Sequence, residues 1–264
     1  TAAAYGLLSS VREAAGLAGQ GALVTSRSDM PIGAGMASSA AGGAALTVAA
    51  LGAAGLLGPA TEADLISWCA RAGSLSALRS LRGGAVRLGV EGGRLVLSSV
   101  EPGIELSVVS CLVEPGPKRV TSSDGHVAAR QSPCFEVFRE YSRSAMDAAA
   151  ASLEMGDLSR LGAVVEAEAL AMHGVMLTSG PPIVYATDRT WSVWRAVTAW
   201  REGSGRLEAY CTLDAGANPH VLCRREDAAE VSERLSALEA VRRLWRSEVA
   251  PRGAHLLPRG KAVT

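Results

Sequence analysis

The chain has 264 residues, enough for one large domain or two small ones around a substantial core. Its 26 basic side chains balance 26 acidic ones, so no excess of charge marks it for nucleic acid or an anionic membrane. Hydrophobic residues make up 48% but are spread out, and the most apolar run, AAGGAALTVAALGAAGLLG, is mostly Ala and Gly and reads as a buried helix rather than a membrane span.

The opening TAAAYGLLSSVREAAGLAG looks like an amphipathic helix already under way, without a charged-then-apolar secretory leader, so an upstream segment is expected to be missing. GALVTSRSDM reads as a strand, PIGAGMASSAAGG as a Gly/Ser loop, and the Ala-rich run after it as a helix. A second helix starts at Thr61, an N-cap with Asp64 three residues later, and stops at Gly73. AVRLGV and RLVLSS alternate around Gly92-Gly93, a hairpin signal. IELSVVSCLVE is the strongest strand candidate, and Pro102-Gly103 before it marks a domain boundary, giving domains 1–102 and 103–264.

The second half turns helical. One helix follows Pro133 and runs to Gly156, another runs from Asp157 to about Met176, and after SGPP a third, DRTWSVWRAVTAWREG, ends at Gly203. RLEAYCTL is a strand, DAGANPH a loop, VLC a short strand and AAEVSERLSALEAV a closing helix. Met172, Trp191, Trp194 and Trp200 read as core residues rather than a cofactor box. Strands followed by helices in each half give a two-domain α+β fold. Five cysteines (Cys69, Cys111, Cys134, Cys211, Cys223), odd in number and without C-x-x-C spacing, read as reduced residues of a cytoplasmic protein, not as a metal site or disulfide framework.

The glycine loop has a physical rationale. A strand, a glycine-rich turn and a helix N-terminus together make an anion site, because exposed amides and the helix dipole favour negative charge and glycine lets a phosphate approach the backbone. Ser38 and Ser39 would add hydroxyls for phosphate oxygens or Mg²⁺. No G-K-[ST] follows, so this is not a Walker A loop. Composition alone leaves a tight turn before a close-packed helix equally open.

The order P-x-G-x-G-[LM]-x-S-S-A resembles the ATP-binding motif of the GHMP small-molecule kinase superfamily. Four further stretches resemble the diphosphomevalonate decarboxylase family within it: GSLSALRSLRGG (73–84), KRVTSSDGHVAARQSPCF (118–135), MHGVMLTSGPPIVYATDRTW (172–191) and YCTLDAGANPHVL (210–222). They keep the family's order over nearly the whole chain. The resemblance implies a GHMP-kinase-like fold with the active site in the cleft between the domains, 1–102 binding ATP and 103–264 ferredoxin-like.

It further implies phosphorylation of the tertiary 3-hydroxyl of 5-diphosphomevalonate by ATP with Mg²⁺, then loss of phosphate and CO₂ to isopentenyl diphosphate. Asp214 would orient or accept the hydroxyl proton, and Arg79 would hold the substrate carboxylate with a bidentate fork. Ser74 and Ser76 would bind substrate, although helix capping also explains them. Gly33, Gly35, Ser38 and Ser39 would bind ATP, with Mg²⁺ reaching Ser38 or Ser39 through the nucleotide. Asn218 and His220 would shape the catalytic loop, by stabilising it or by touching substrate, and Ser122 and Ser123 would lie in a loop behind Lys118-Arg119 that either closes over nucleotide or is simply solvated. A cytoplasmic homodimer acting on a small phosphorylated 3-hydroxy acid is expected.

The departures are specific. The family's IKYWGK-like opening strands have no counterpart here, so unpaired sheet edges and uncovered apolar faces are expected. Leu75 replaces a glycine and Leu78 a cysteine; a branched side chain beside Ser74 and Ser76 would narrow the pocket or force a different backbone angle, and Ala217 in place of a proline would loosen the loop after Asp214. A related 3-hydroxy-acid kinase or decarboxylase, or a non-catalytic nucleotide binder, stays open as an alternative.

Overall fold

The computed structural model describes residues 2–31, 37–72, 75–116, 118–202 and 206–258. They form two compact units: the first from 2–29, the described part of 37–100 and 250–258, the second from 30–31 and the described part of 101–249.

In the first unit, α1 (Ala2–Ala14) lays Leu7 and Val11, one turn apart, against Ala50 and Leu51 of α2 (Ser38–Ala53). Each fully buried aliphatic side chain contributes about 1.5–3 kcal/mol, so this i,i+4 pair is enough to seat a short helix. The helix α3 (Glu62–Ala70) starts with the expected capping box. Thr61 Oγ1 accepts the Asp64 N–H at 3.2 Å, and Asp64 Oδ2 accepts the Thr61 N–H at 2.8 Å.

A 3₁₀ helix, Leu75–Leu81, leads into the hairpin β1 (Ala85–Glu91) and β2 (Arg94–Val100). Gly92 and Gly93 both have positive φ, 54° and 77°, as a two-residue turn between right-twisted strands requires. The chain returns at its far end: the Gly84 N–H donates to Ala250 and the Ala254 N–H to Ser80, both at 2.8 Å.

GALVTSRSDM departs from expectation, since residues 21–28 adopt no regular structure. A strand persists when a neighbour takes up its N–H and C=O groups. Among the described residues no strand pairs with this stretch, β1 and β2 form a ladder only with each other, and Leu23 stays 97% exposed.

The second unit is built on an antiparallel sheet of order β4-β5-β3-β6, with β4 at Ala209–Leu213, β5 at Pro219–Arg224, β3 at Leu106–Leu112 and β6 at Arg243–Glu248. The central β3 is covered on both faces, which is why it reads as a nearly continuous apolar run. On one face Val109, Cys111, Cys211, Val221 and Cys223 share a core with Val193 and Val197 of α7 (Asp188–Trp200) and with Val231 and Leu235 of α8 (Ala228–Ser236). Trp194 and Trp200 lie half-buried against it. On the other, Leu106 and Tyr210 meet Leu158 and Leu161 of α6 (Leu158–Leu177) and Leu153 of α5 (Phe135–Glu154).

Two elements differ from the sequence reading. Ser122 and Ser123 open a helix, α4 (Ser122–Ala129), rather than lying in a loop, because Thr121 caps it by accepting the Asp124 N–H at 3.1 Å. The closing helix, expected to reach Val241, ends at Ser236, and β6 follows as an edge strand whose exposed residues, Ser247 apart, are charged. The molecule is α+β, and among the described residues no helix is long and apolar enough to cross a membrane.

Candidate active site

Gly33, Gly35 and Ser74 lie outside the described residues. Ser38 and Ser39 occupy the first turn of α2, Ser38 half-buried and Ser39 exposed. Ala37 precedes them at φ 51°, ψ 18°, a left-handed conformation that costs a non-glycine residue about 1–3 kcal/mol. It carries no side-chain oxygen to close the turn, so the helix start lacks the cap that a Ser or Asp would supply.

Further along α2, a Cβ added at Gly43 would stand 3.2 Å from the Ala77 Cβ. The helix and the 3₁₀ segment therefore touch through small residues. Three residues complete a 3₁₀ turn, so Ser76 and Arg79 share one face of that segment. Ser76 is half-buried and Arg79 exposed, with no acidic partner among the described residues. Arg82 is already committed: its Nη2 donates to Glu62 at 2.6 Å, its Nε to the other Glu62 oxygen, and its Nη1 to Ser99 at 3.2 Å. Leu78 is wholly buried with Ala44, Ile66, Cys69 and Leu97 and fills the core, whereas Leu75 is 54% exposed.

Asp214 follows directly on β4, exposed, at the head of a loop whose backbone is gripped from several sides. The Asp214 carbonyl lies 3.1 Å from His173 Nε2 on α6 and accepts the Gly216 N–H at 2.7 Å. The Ala215 carbonyl accepts from Lys118 Nζ at 2.6 Å, and the Ala217 carbonyl from Thr190 Oγ1 at 2.6 Å. Asn218, 2% exposed, accepts the Val113 and Glu114 N–H groups at 2.7 and 2.9 Å and donates to the Glu114 carbonyl at 3.1 Å, tying the loop to the end of β3. Carbonyls held by α6, α7 and the segment before α4 leave the Asp214 carboxylate on a fixed base.

The electrostatics centre on that carboxylate. Burial pushes the Lys118 ammonium below its ordinary range while the charge of Asp214 opposes the shift; Lys118 also donates to Ser122 Oγ at 2.5 Å. Burial raises Glu168, its hydrogen bond from Ser142 opposes that, and Asp214 adds to the rise. Burial holds His173 low, against the bond to the Asp214 carbonyl and the Asp214 charge, so the imidazole is neutral and its Nε2–H is the donor to that carbonyl. His220, expected to shape the loop, sits in β5 with Nδ1 2.8 Å from Ser110 Oγ, and its buried Nε2 has no partner among the described residues.

The first unit thus carries Ser38, Ser39, Ser76 and Arg79 and the second Asp214. The sequence reading assigned no role to His173, Thr190 or Glu168, although His173 and Thr190 stand inside a quoted motif. Among the described residues no group of three or more His, Cys, Asp or Glu is placed to hold a metal ion.

The fold places the chain with GHMP-kinase-like proteins. The mevalonate diphosphate decarboxylase from Enterococcus faecalis, 26% identical, superimposes with a TM-score of 0.79 over 96% of this chain and 77% of its own. MDDEF in complex with MVAPP, AMPPCP and magnesium, 27% identical, gives a TM-score of 0.80 over 95% and 76%. Residues 2–94 match the diphosphomevalonate decarboxylase-like N-terminal domain and residues 108–252 the mevalonate 5-diphosphate decarboxylase C-terminal domain. The chain belongs to the diphosphomevalonate decarboxylase family. The diphosphomevalonate decarboxylase of Ganoderma lucidum is 30% identical over 223 residues, 80% of this chain and 55% of that protein, so the chain spans little more than half the relative's length.

Proposed function

We propose that the chain catalyses the ATP-dependent decarboxylation of 5-diphosphomevalonate to isopentenyl diphosphate, ADP, phosphate and CO₂. The observation that carries this reading is Asp214: an exposed carboxylate on a loop whose carbonyls are held by His173, Lys118 and Thr190. A general base must keep its geometry while its own charge stays available, and this arrangement meets both needs. The MVAPP and AMPPCP–magnesium complex of MDDEF supports the choice of substrates.

In this reading Asp214 takes the proton of the tertiary 3-hydroxyl as its oxygen attacks the γ-phosphorus of magnesium-bound ATP, and ADP departs. The first turn of α2, with Ser38 and Ser39 and with Gly33 and Gly35 just before them in sequence, receives the phosphates. Arg79, with Ser74 and Ser76 beside it in sequence, clamps the substrate carboxylate. Phosphate then leaves with the C–O electron pair, the electrons of the bond to the carboxylate form the double bond, and CO₂ is released. The free thiols of all five cysteines fit a cytoplasmic enzyme, and a homodimer is the expected assembly, checked by sedimentation.

The test is incubation with ATP, Mg²⁺ and 5-diphosphomevalonate, following ADP and CO₂ together. Equal yields support the reading. ADP without CO₂ would assign a kinase that stops at phosphorylation, and neither product would leave a non-catalytic nucleotide binder. Asp214→Asn should abolish both products while nucleotide binding persists.

A further inference from the structure

We infer that His173 is a positioning residue for Asp214, setting the direction in which the carboxylate leaves the end of β4. This deepens the proposed reaction and rests on it. His173 is 5% exposed and lies on the inner side of α6, with its ring edge-on to Tyr185 at 6.0 Å between centroids. Its Nε2 meets the main-chain carbonyl of Asp214, not the side chain. That carbonyl belongs to the peptide joining Asp214 to Ala215, so a donor fixed there controls the rotation of the backbone that carries the acid.

Two features separate this from ordinary core packing. The imidazole is buried and neutral, so it holds the carbonyl without placing a second charge beside the carboxylate. The Asp214 carbonyl also takes the Gly216 N–H at 2.7 Å, and the tight turn this bond closes has no regular partner in the sheet. His173 thus anchors from outside a turn that β4 and β5 alone do not define. Thr190 and Lys118 hold the next carbonyls, but neither reaches the peptide attached to the acid itself.

The experiment compares His173→Gln, which carries an amide nitrogen close to the position of Nε2, with His173→Leu, which has no donor. On the full chain, His173→Leu should lower kcat for ADP formation by roughly 10- to 100-fold, the usual result of displacing a catalytic group by about 1 Å. Its KM for ATP should stay within about twofold, since ground-state nucleotide binding is untouched. His173→Gln should recover most of the lost kcat. The carboxyl-carbon NMR resonance of Asp214 should move in His173→Leu and return in His173→Gln. If Leu leaves the chain unfolded, Gln against Asn decides the same point, because Asn stops one atom short.

Unchanged kcat in His173→Leu, or equal losses in Leu and Gln, overturns the assignment. Absence of ADP from the unsubstituted chain would sink the proposed reaction instead. The Asp214 resonance would still report whether His173 governs the acid, and an unmoved resonance in the Leu variant overturns the inference.

Discussion

Arg201 and Glu166 face each other through two hydrogen bonds, 3.1 and 2.9 Å, along the open edge of β4. β4 is one of the two edge strands, so among the described residues some of its backbone groups have no strand to pair with. Glu166 Oε1 accepts the Cys211 N–H at 3.0 Å and Arg201 donates to the Ala209 carbonyl at 2.6 Å. The ion pair stands in for a neighbouring strand, with the guanidinium lying 4.4 Å over the Tyr210 ring.

Because the two side chains are only 18% and 15% exposed, removing one partner leaves a buried charge as well as an unpaired backbone group. Glu166→Ala should therefore destabilise the chain by about 3 kcal/mol or more. The check is chemical denaturation: the midpoint should fall with an unchanged slope, and a midpoint within error of the parent would show that the pair is ornamental.

Arg79 and Arg82 make opposite predictions although only three residues apart. Arg79→Lys should leave the melting temperature in place, since the side chain is exposed and makes no ion pair among the described residues, and should lower CO₂ release on the order of 100-fold. Arg82→Ala should cost about 0.5–1 kcal/mol, as its bond to Glu62 is partly exposed, and leave turnover intact. Assaying both variants for melting and CO₂ should give this crossed result; a turnover defect in Arg82→Ala alone would reverse the assignment.

His173 also predicts a pH dependence of stability. Burial lowers its folded-state pKa below the ordinary 6.5, so the unfolded chain binds more protons in that window and stability rises with pH. The contribution is fully present above about pH 6.5 and is lost as pH falls through that value towards the lowered folded-state pKa. Glu168 has the opposite sign, since its raised pKa favours the folded chain at low pH and that benefit fades as pH rises. Subtracting the melting profile of His173→Gln from that of the parent isolates the histidine. The difference should grow from about pH 5 to about pH 7, and a flat difference would contradict the burial of a neutral ring.

The legible parts of this fold are those specified by neighbours in sequence. Thr61 with Asp64, Asp157 capping α6, and Gly92-Gly93 between alternating strands each complete their interaction within a few residues. The Thr121–Asp124 cap was also written locally, but the poor helix formers of SSDGH obscured α4. β6 was hidden because an edge strand shows one thin apolar register, and the Ala, Leu and Glu before it carry helix propensity.

The site divides along the same line. Ser38, Arg79 and Asp214 stand in quoted motifs, while the grip on the Asp214 loop joins His173, Lys118, Thr190 and Asn218 across separations of 27 to 105 residues. No local spacing encodes such contacts. Residues 21–28 show the converse: strand-like spacing is only half of a strand, and its partner must come from elsewhere.

The approach of Gly43 to Ala77 has a mechanical meaning. With so little room between the small residues of the two segments, the start of α2 and the backbone that carries Arg79 keep a set separation, like two marks on a ruler, and only the exposed Arg79 side chain adjusts. A molecule long enough to touch both is measured against a length decided when the chain folded, and a shorter one reaches only one mark.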